Sequence, residues 1–149
     1  MINDNLTLRG DVAIVLKDKN GNVKESREIN NLVVTAGLTF ICSRMAGASA
    51  GVMSHMALGS STTAAAAGQT DLVSILGSRE VLDSSTASAN TIVYVSSFEA
   101  GEGTGAVTEA GVFNASSSGT MLCRTVFPVV NKGADDTMSV TWTITLTAS

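Results

Sequence analysis

Charged side chains are scarce in this sequence: they make up 15% of its 149 residues, against the roughly 25% usual in soluble domains. Nine basic and thirteen acidic residues leave a net charge of −4. So few Lys and Arg, in no cluster, argue against nucleic acid as a partner, because counterion release needs grouped positive charge. Histidine occurs once, at position 55, with no cysteine near it in sequence, so no recognisable zinc site can nucleate there. No Gly-x-Ser-x-Gly elbow is present to pair with it, and no paired carboxylates sit in a glycosidase-like setting. The chain is therefore read as a non-enzyme, with no catalytic, cofactor-binding or metal-binding residues assigned.

Other absences narrow the class further. Cys42 and Cys123 are the only cysteines, 81 positions apart and inside apolar patterns. That is no disulfide scaffold, and both are expected to be reduced, buried thiols. No apolar run approaches the roughly 20 residues that span a bilayer. Met1-Ile2-Asn3-Asp4-Asn5 lacks the basic and apolar regions of a signal peptide, so synthesis and assembly in a cytoplasm are expected, with no membrane partner. The lone proline, Pro128, marks the end or edge of a strand, because it cannot donate to a ladder.

The strongest signal present is near the C-terminus. From Met138 to Thr147 apolar residues occupy every even position and Ser or Thr every odd one. Such period-2 alternation predicts a half-buried strand with Met138, Val140, Trp142, Ile144 and Leu146 inward. Upstream, residues 1–10 read as a terminal arm. Val12 to Leu16 and Val23 to Ile29 flank Asn20-Gly21 and predict a hairpin whose second strand turns Lys24, Glu25, Arg27 and Glu28 outward. Asn30-Asn31 is expected to break that strand. Thr35 is placed as the N-cap of a helix with a Leu38, Ile41, Cys42, Met45 stripe facing the sheet.

The remainder alternates short β-prone runs with turns. Residues 53–58, 79–82, 91–98, 106–113 and 120–130 read as strands, 72–76 as one helical turn, and 83–90 as a polar connection. Ser60 to Gln69 is a long Ser/Thr/Ala loop of the kind that forms binding surfaces or disordered tips. About eight strands with regular turn signals predict an all-β fold: an antiparallel, jelly-roll-like β-sandwich with an N-terminal hairpin and one short helix. Residues 1–47 form the arm, hairpin and helix, packed on a main sandwich over 48–149.

Gly101, Gly103 and Gly105 follow a strand but precede another strand, so they form a turn and not a phosphate loop. Glu99, Glu102, Glu109, Asp135 and Asp136 gather acidic charge without calcium-loop spacing. The aromatics Tyr94, Phe98, Phe113, Phe127 and Trp142 are assigned to the core.

Several blocks carry a resemblance. Met56-Ala57-Leu58-Gly59 through Thr63, with Thr70-Asp71-Leu72, is similar to a block in small structural proteins of tailed bacteriophages. So are Phe98 to Gly105, Thr108 to Asn114, Arg124 to Phe127 and Asp136 to Trp142, and the group also resembles Gly10-Asp11-Val12 and Asn31 to Gly37. The resemblance covers residues 53–149. It implies a virion structural protein, either a head-decoration (cement) or collar-type subunit that stabilises the particle, or a tail-fibre-like receptor- or glycan-binding module. The partners implied are the major capsid or collar and tail proteins. A charge-poor, edge-bearing surface adds the expectation of a homo-oligomer, a trimer by preference.

Overall fold

The alternating C-terminal run is a strand, and the sheet is assembled around it. The structure, a computed structural model, describes residues 5–148. Its elements are β1 (Leu6–Lys17), β2 (Val23–Val33), α1 (Thr35–Met45), β3 (His55–Gly59) and β4 (Glu80–Val81), then β5 (Ser84–Ser88), β6 (Thr91–Phe98), β7 (Gly105–Phe113), β8 (Met121–Lys132) and β9 (Thr137–Ala148). β9 lies between β1, from Leu6↔Ala148 to Lys17↔Thr137, and β6. Met138, Val140, Trp142 and Ile144 are buried, while the hydroxyl residues between them are half-buried on the other face.

The fold is all-β, and all nine strands belong to one antiparallel sheet in the order β4-β3-β7-β8-β2-β1-β9-β6-β5. The expected sandwich of separate sheets is replaced by a single sheet that curls. One corner is β2, which pairs with β1 along Val23–Asn31 and then with β8 through Leu32↔Arg124 and Val33↔Cys123. At the other, the Leu82 N–H donates to Ser54 beside β3 and the Asp83 N–H donates to Val95 on β6. The chain from β4 to β5 thus runs from one rim of the sheet to the other. The halves β1-β9-β6 and β3-β7-β8 face one another across a core that includes Ile14, Phe98, Trp142, Leu58, Val112 and Phe127.

Several sequence expectations are corrected here. Residues 6–10 are no arm, because they pair with β9; the expected arm at 1–4 lies outside the described residues. β2 runs through Asn30 and Asn31, which pair with Asp11 and Gly10, so the ladder overrides their turn tendency. Glu25 and Arg27 lie on the half-buried side of β2 and pair with each other at 2.6 Å, leaving Lys24 and Glu28 outward. The polar connection at 83–90 contains β5, which makes nine strands where about eight were expected. No helical turn forms at 72–76; Ile75 makes a bridge to Gly59 instead.

Helix α1 is real but differently oriented. Its N-cap is Val34, with no side-chain cap; the Thr35 N–H instead donates to Ala67 of the long loop at 2.8 Å. Gly37 is buried, and a Cβ there would fall 2.1 Å from the Leu122 carbonyl oxygen, so this glycine lets the helix lie directly on β8. That contact turns Phe40 and Ile41 toward the core and leaves Leu38, Cys42 and Met45 exposed, reversing most of the predicted stripe. Met45 is 83% exposed.

Candidate functional site

Strand β3, β7 from Val107 onward and β8 up to Phe127 are covered on both faces, and the second cover comes from residues 60–79. Between β3 and β4 this segment has no strand, yet it is fastened from beneath by charge. Glu109 on β7 and Arg124 on β8 are both fully buried, and the Arg124 Nε donates to Glu109 Oε2 at 2.9 Å. The Arg124 Nη2 lies 2.8 Å from the same oxygen but is angled poorly for a second hydrogen bond. Because Glu109 faces Val126 and Arg124 faces Gly111, the two are diagonal neighbours on adjacent strands, within reach for long side chains.

The carboxylate then organises the loop. Glu109 Oε1 accepts from the backbone N–H groups of Ser61 (3.3 Å) and Ser74 (2.8 Å), and Oε2 accepts from Val73 at 3.2 Å. Arg124 Nη1 donates to Gln69 Oε1 at 3.0 Å, and the same oxygen accepts the Ala66 N–H. Gln69 Nε2 donates to the Ala64 carbonyl, and the Thr108 hydroxyl donates to the Ser61 carbonyl. Gly59, opposite Glu109, is required by close approach: a Cβ there would sit 2.5 Å from Glu109 Oε1. Val34, Ala57, Leu72, Phe113 and Met121 form a small second core beside this network. A buried pair with both partners hydrogen-bonded fixes geometry and is costly to break.

The loop's far end is held by a second cation. The Arg79 guanidinium stacks 3.7 Å from the Phe113 ring centroid, and its Nη1 donates to the Ala115 and Ser118 carbonyls. With Asp71, Val73, Ile75 and the serines 116–118 it lines a depression of about 300 Å³. Val73 and Ile75 are 53% and 45% exposed. The segment is thus a shaped outer surface, with apolar side chains on show and its backbone hydrogen-bonded inward.

Of the acids grouped from the sequence, Glu99, Glu102 and Asp136 are gathered around Lys132, and Glu109 is not among them. Glu109 is tied up with Arg124 instead. Asp136 accepts from Lys24 (2.7 Å) and the Gly133 N–H, which holds its carboxyl below the usual range, the Lys24 bond first. Lys132 is buried and donates to the Glu99 carbonyl; burial pulls its ammonium pKa down. Glu102 accepts the Glu99 N–H, closing the glycine turn. Among the described residues, no group of three or more His, Cys, Asp or Glu is placed to hold a metal ion. His55 Nδ1 lies 2.8 Å from the Ser54 hydroxyl. Neither cysteine is bridged, but only Cys123 is buried, with its thiol pKa pushed up by that burial; Cys42 is exposed. No described helix is long and apolar enough to cross a membrane.

A separate cavity of about 260 Å³ opens between α1 and the β5-β6 rim. Phe40, Val52, Met53, Ile92 and Tyr94 line it with Arg44 and Ser85. Burial pushes the Tyr94 hydroxyl pKa up to about 12. No protein family, curated protein or solved structure matches the chain.

Proposed function

We propose that the protein is a structural subunit of a tailed-bacteriophage particle, of the head-decoration, cement or collar kind, working by contact with the capsid, collar or tail proteins around it. The observation that carries this reading is the Glu109–Arg124 clamp. It fixes residues 60–76 from below, so Val73, Ile75 and the alanines at 64–67 form a contact surface that needs little further ordering. Preorganisation lowers the entropic cost of docking. The resemblance of residues 53–149 to phage structural proteins supports the same reading, since its blocks include segments between Met56 and Leu72 and the strands that bear the clamp. In this reading the protein is made in the host cytoplasm and resides in the virion as a homotrimer.

The depression at Arg79 favours a second reading, a tail-fibre-like module for a host glycan, because Asp71 and four serines converge there beside exposed Val73 and Ile75. Removing the protein from particles separates the two. Cement loss gives particles that rupture at lower temperature, whereas receptor-module loss gives intact particles that fail to adsorb. Absence of the protein from purified particles overturns both.

A further inference from the structure

The curled sheet ends in two rims that are protected unequally. β4 is only two residues long and carries Glu80, and shortness and charge are the usual guards of an unpaired edge. β5 has neither guard. Ser84-Ser85-Thr86-Ala87-Ser88 holds no charge and no proline, is exposed throughout, and pairs only with β6 among the described strands. Antiparallel pairing turns every second residue's N–H and C=O away from the partner strand, so β5 holds main-chain donors and acceptors out to solvent. Beside this open edge is the cavity of about 260 Å³, to which Ser85 itself contributes. Ser85 is opposite Tyr94 and Ala87 opposite Ile92, so the inner face of β5 continues onto the cavity floor.

The chemistry of the cavity narrows what it takes. Arg44 is the only charged side chain among its described lining residues, and no carboxylate among the described residues pairs with it. Its Nη1 donates instead to the Ala48 and Ala50 carbonyls, at 3.2 and 2.7 Å, which fixes the guanidinium beside the apolar lining. A cation held in this way is complementary to a carboxylate. At about 260 Å³ the cavity falls below the roughly 300–1,000 Å³ of pockets that take free small molecules, and it is sized for one large side chain. An open edge next to such a pocket is the arrangement that receives an added strand: the edge supplies main-chain hydrogen bonds, and the pocket takes a side chain from alternate positions. We propose that β5 pairs with an extended internal segment of another protein, whose large apolar side chain fills the cavity and whose Asp or Glu, two positions along, meets Arg44. Residues two apart in a strand face the same side, about 6.8 Å from each other, so one segment reaches both features. A side-chain carboxylate is favoured over a terminal one, because a terminal carboxylate lies in the line of the backbone and not on the cavity side. The surface is separate from residues 60–76 and does not depend on where the protein resides.

The probe is a fluorescently labelled, end-capped peptide of eight residues, with leucine fourth, glutamate sixth and threonine elsewhere. It is titrated into the full chain by anisotropy, and its site is mapped by backbone amide shifts. The largest shifts should fall at residues 84–88 and 40–44. Replacing the peptide's leucine by serine, or its glutamate by lysine, should each weaken binding about tenfold or more. Ser85→Phe, which fills the cavity from the strand itself, should do the same. Arg44→Glu should lose the glutamate peptide and gain the lysine peptide, a recovery that damage to the 48–50 loop would not allow. No binding at about millimolar peptide overturns the proposal, as do shifts that leave β5 untouched. Free hexanoate bound as tightly as the peptide would make the cavity a small-molecule site and overturns it too. So does association of the full chain through β5 in sedimentation velocity, which would give the edge to a second copy.

Discussion

The two halves of the sheet solve burial differently. In β1-β9-β6 one face is covered, and the sequence alternates accordingly: β9 is buried at Met138, Val140, Trp142 and Ile144, with Thr and Ser between. In β3, β7 and β8 up to Phe127 both faces are covered, and β7 is buried continuously from Val107 to Phe113, charge included. The first half is held by apolar area, a non-directional force proportional to the surface removed from water. The second adds a layer that works only if each hydrogen bond is made, because buried charge is tolerated only when paired. Covering an antiparallel sheet on its second face with a loop, as here, requires somewhere for the loop's N–H groups to go, and Glu109 accepts three of them.

That contrast is most exposed to test at Arg124. Arg124→Ala leaves the Glu109 carboxylate buried without its counter-charge, and the expected loss is about 3–5 kcal/mol in chemical denaturation, with oligomeric state held constant. Replacing both partners, Glu109→Gln with Arg124→Met, should cost less than the single change while raising hydrogen exchange across residues 61–74, because the loop loses its charged acceptor. A single-variant loss below about 1 kcal/mol would mean that the outer layer does not stabilise this half.

In the apolar half the corresponding change is Trp142→Ala, expected to cost about 3–5 kcal/mol through the cavity it leaves. Its neighbour Thr143, on the covered strand's open face, should cost within about 0.5 kcal/mol as Ala. Trp142→Phe is the sharper probe. The indole N–H is buried without a partner among the described residues, so the milder change removes an unsatisfied donor along with part of the packing. Equal losses for Trp142→Ala and Thr143→Ala would erase the distinction between the strand's two faces.

This difference also explains what can be read from the sequence. Where one face is wet, period-2 patterning survives, so β9, β6 and the β1-β2 hairpin are legible. Where both faces are dry it blurs, and sequence distance alone groups Glu109 with the wrong acids. The usable signal is a lone acid in β7 and an arginine early in β8, at positions 109 and 124, each flanked by residues of strand composition, since a buried charge needs a partner. The loop clamp follows from that pair, but Gln69 and the backbone donors depend on tertiary placement. The helix stripe fails for a similar reason: the choice of buried face is made by Gly37 lying on the Leu122 carbonyl, and an 11-residue helix takes its orientation from its contact with the sheet.

The cysteines compare the dry interior with the helix's open face without perturbing either. Cys42 should react with a thiol reagent in the folded protein, and Cys123 only on unfolding, for two thiols per denatured chain. Burial raises the Cys123 pKa and so withholds the thiolate, which is the reacting species. Two fast thiols in the native protein would mean that the β8 layer opens readily, and no free thiols at all would mean that the cysteines are paired.

The smallest expected effect is at the turn into β9, where the charge is peripheral. Asp136 is held by Lys24 and the Gly133 N–H, and its pKa is lowered from 3.8. A carboxyl with a depressed folded pKa favours the folded state above its unfolded value, and that contribution disappears as pH falls through the folded value. The gap in urea midpoint between the native chain and Asp136→Asn should therefore be constant above about pH 5 and close progressively below about pH 4. Lys24 is 45% exposed, so salt should shrink the effect and Lys24→Met should reproduce only part of it. The backbone bond from Gly133 remains in that variant. This pair ties the first residues of β2 to the β8-β9 turn, outside both apolar cores. A gap that widened as the solution became more acid would reverse the sign of the linkage and assign Asp136 a protonated role in the fold.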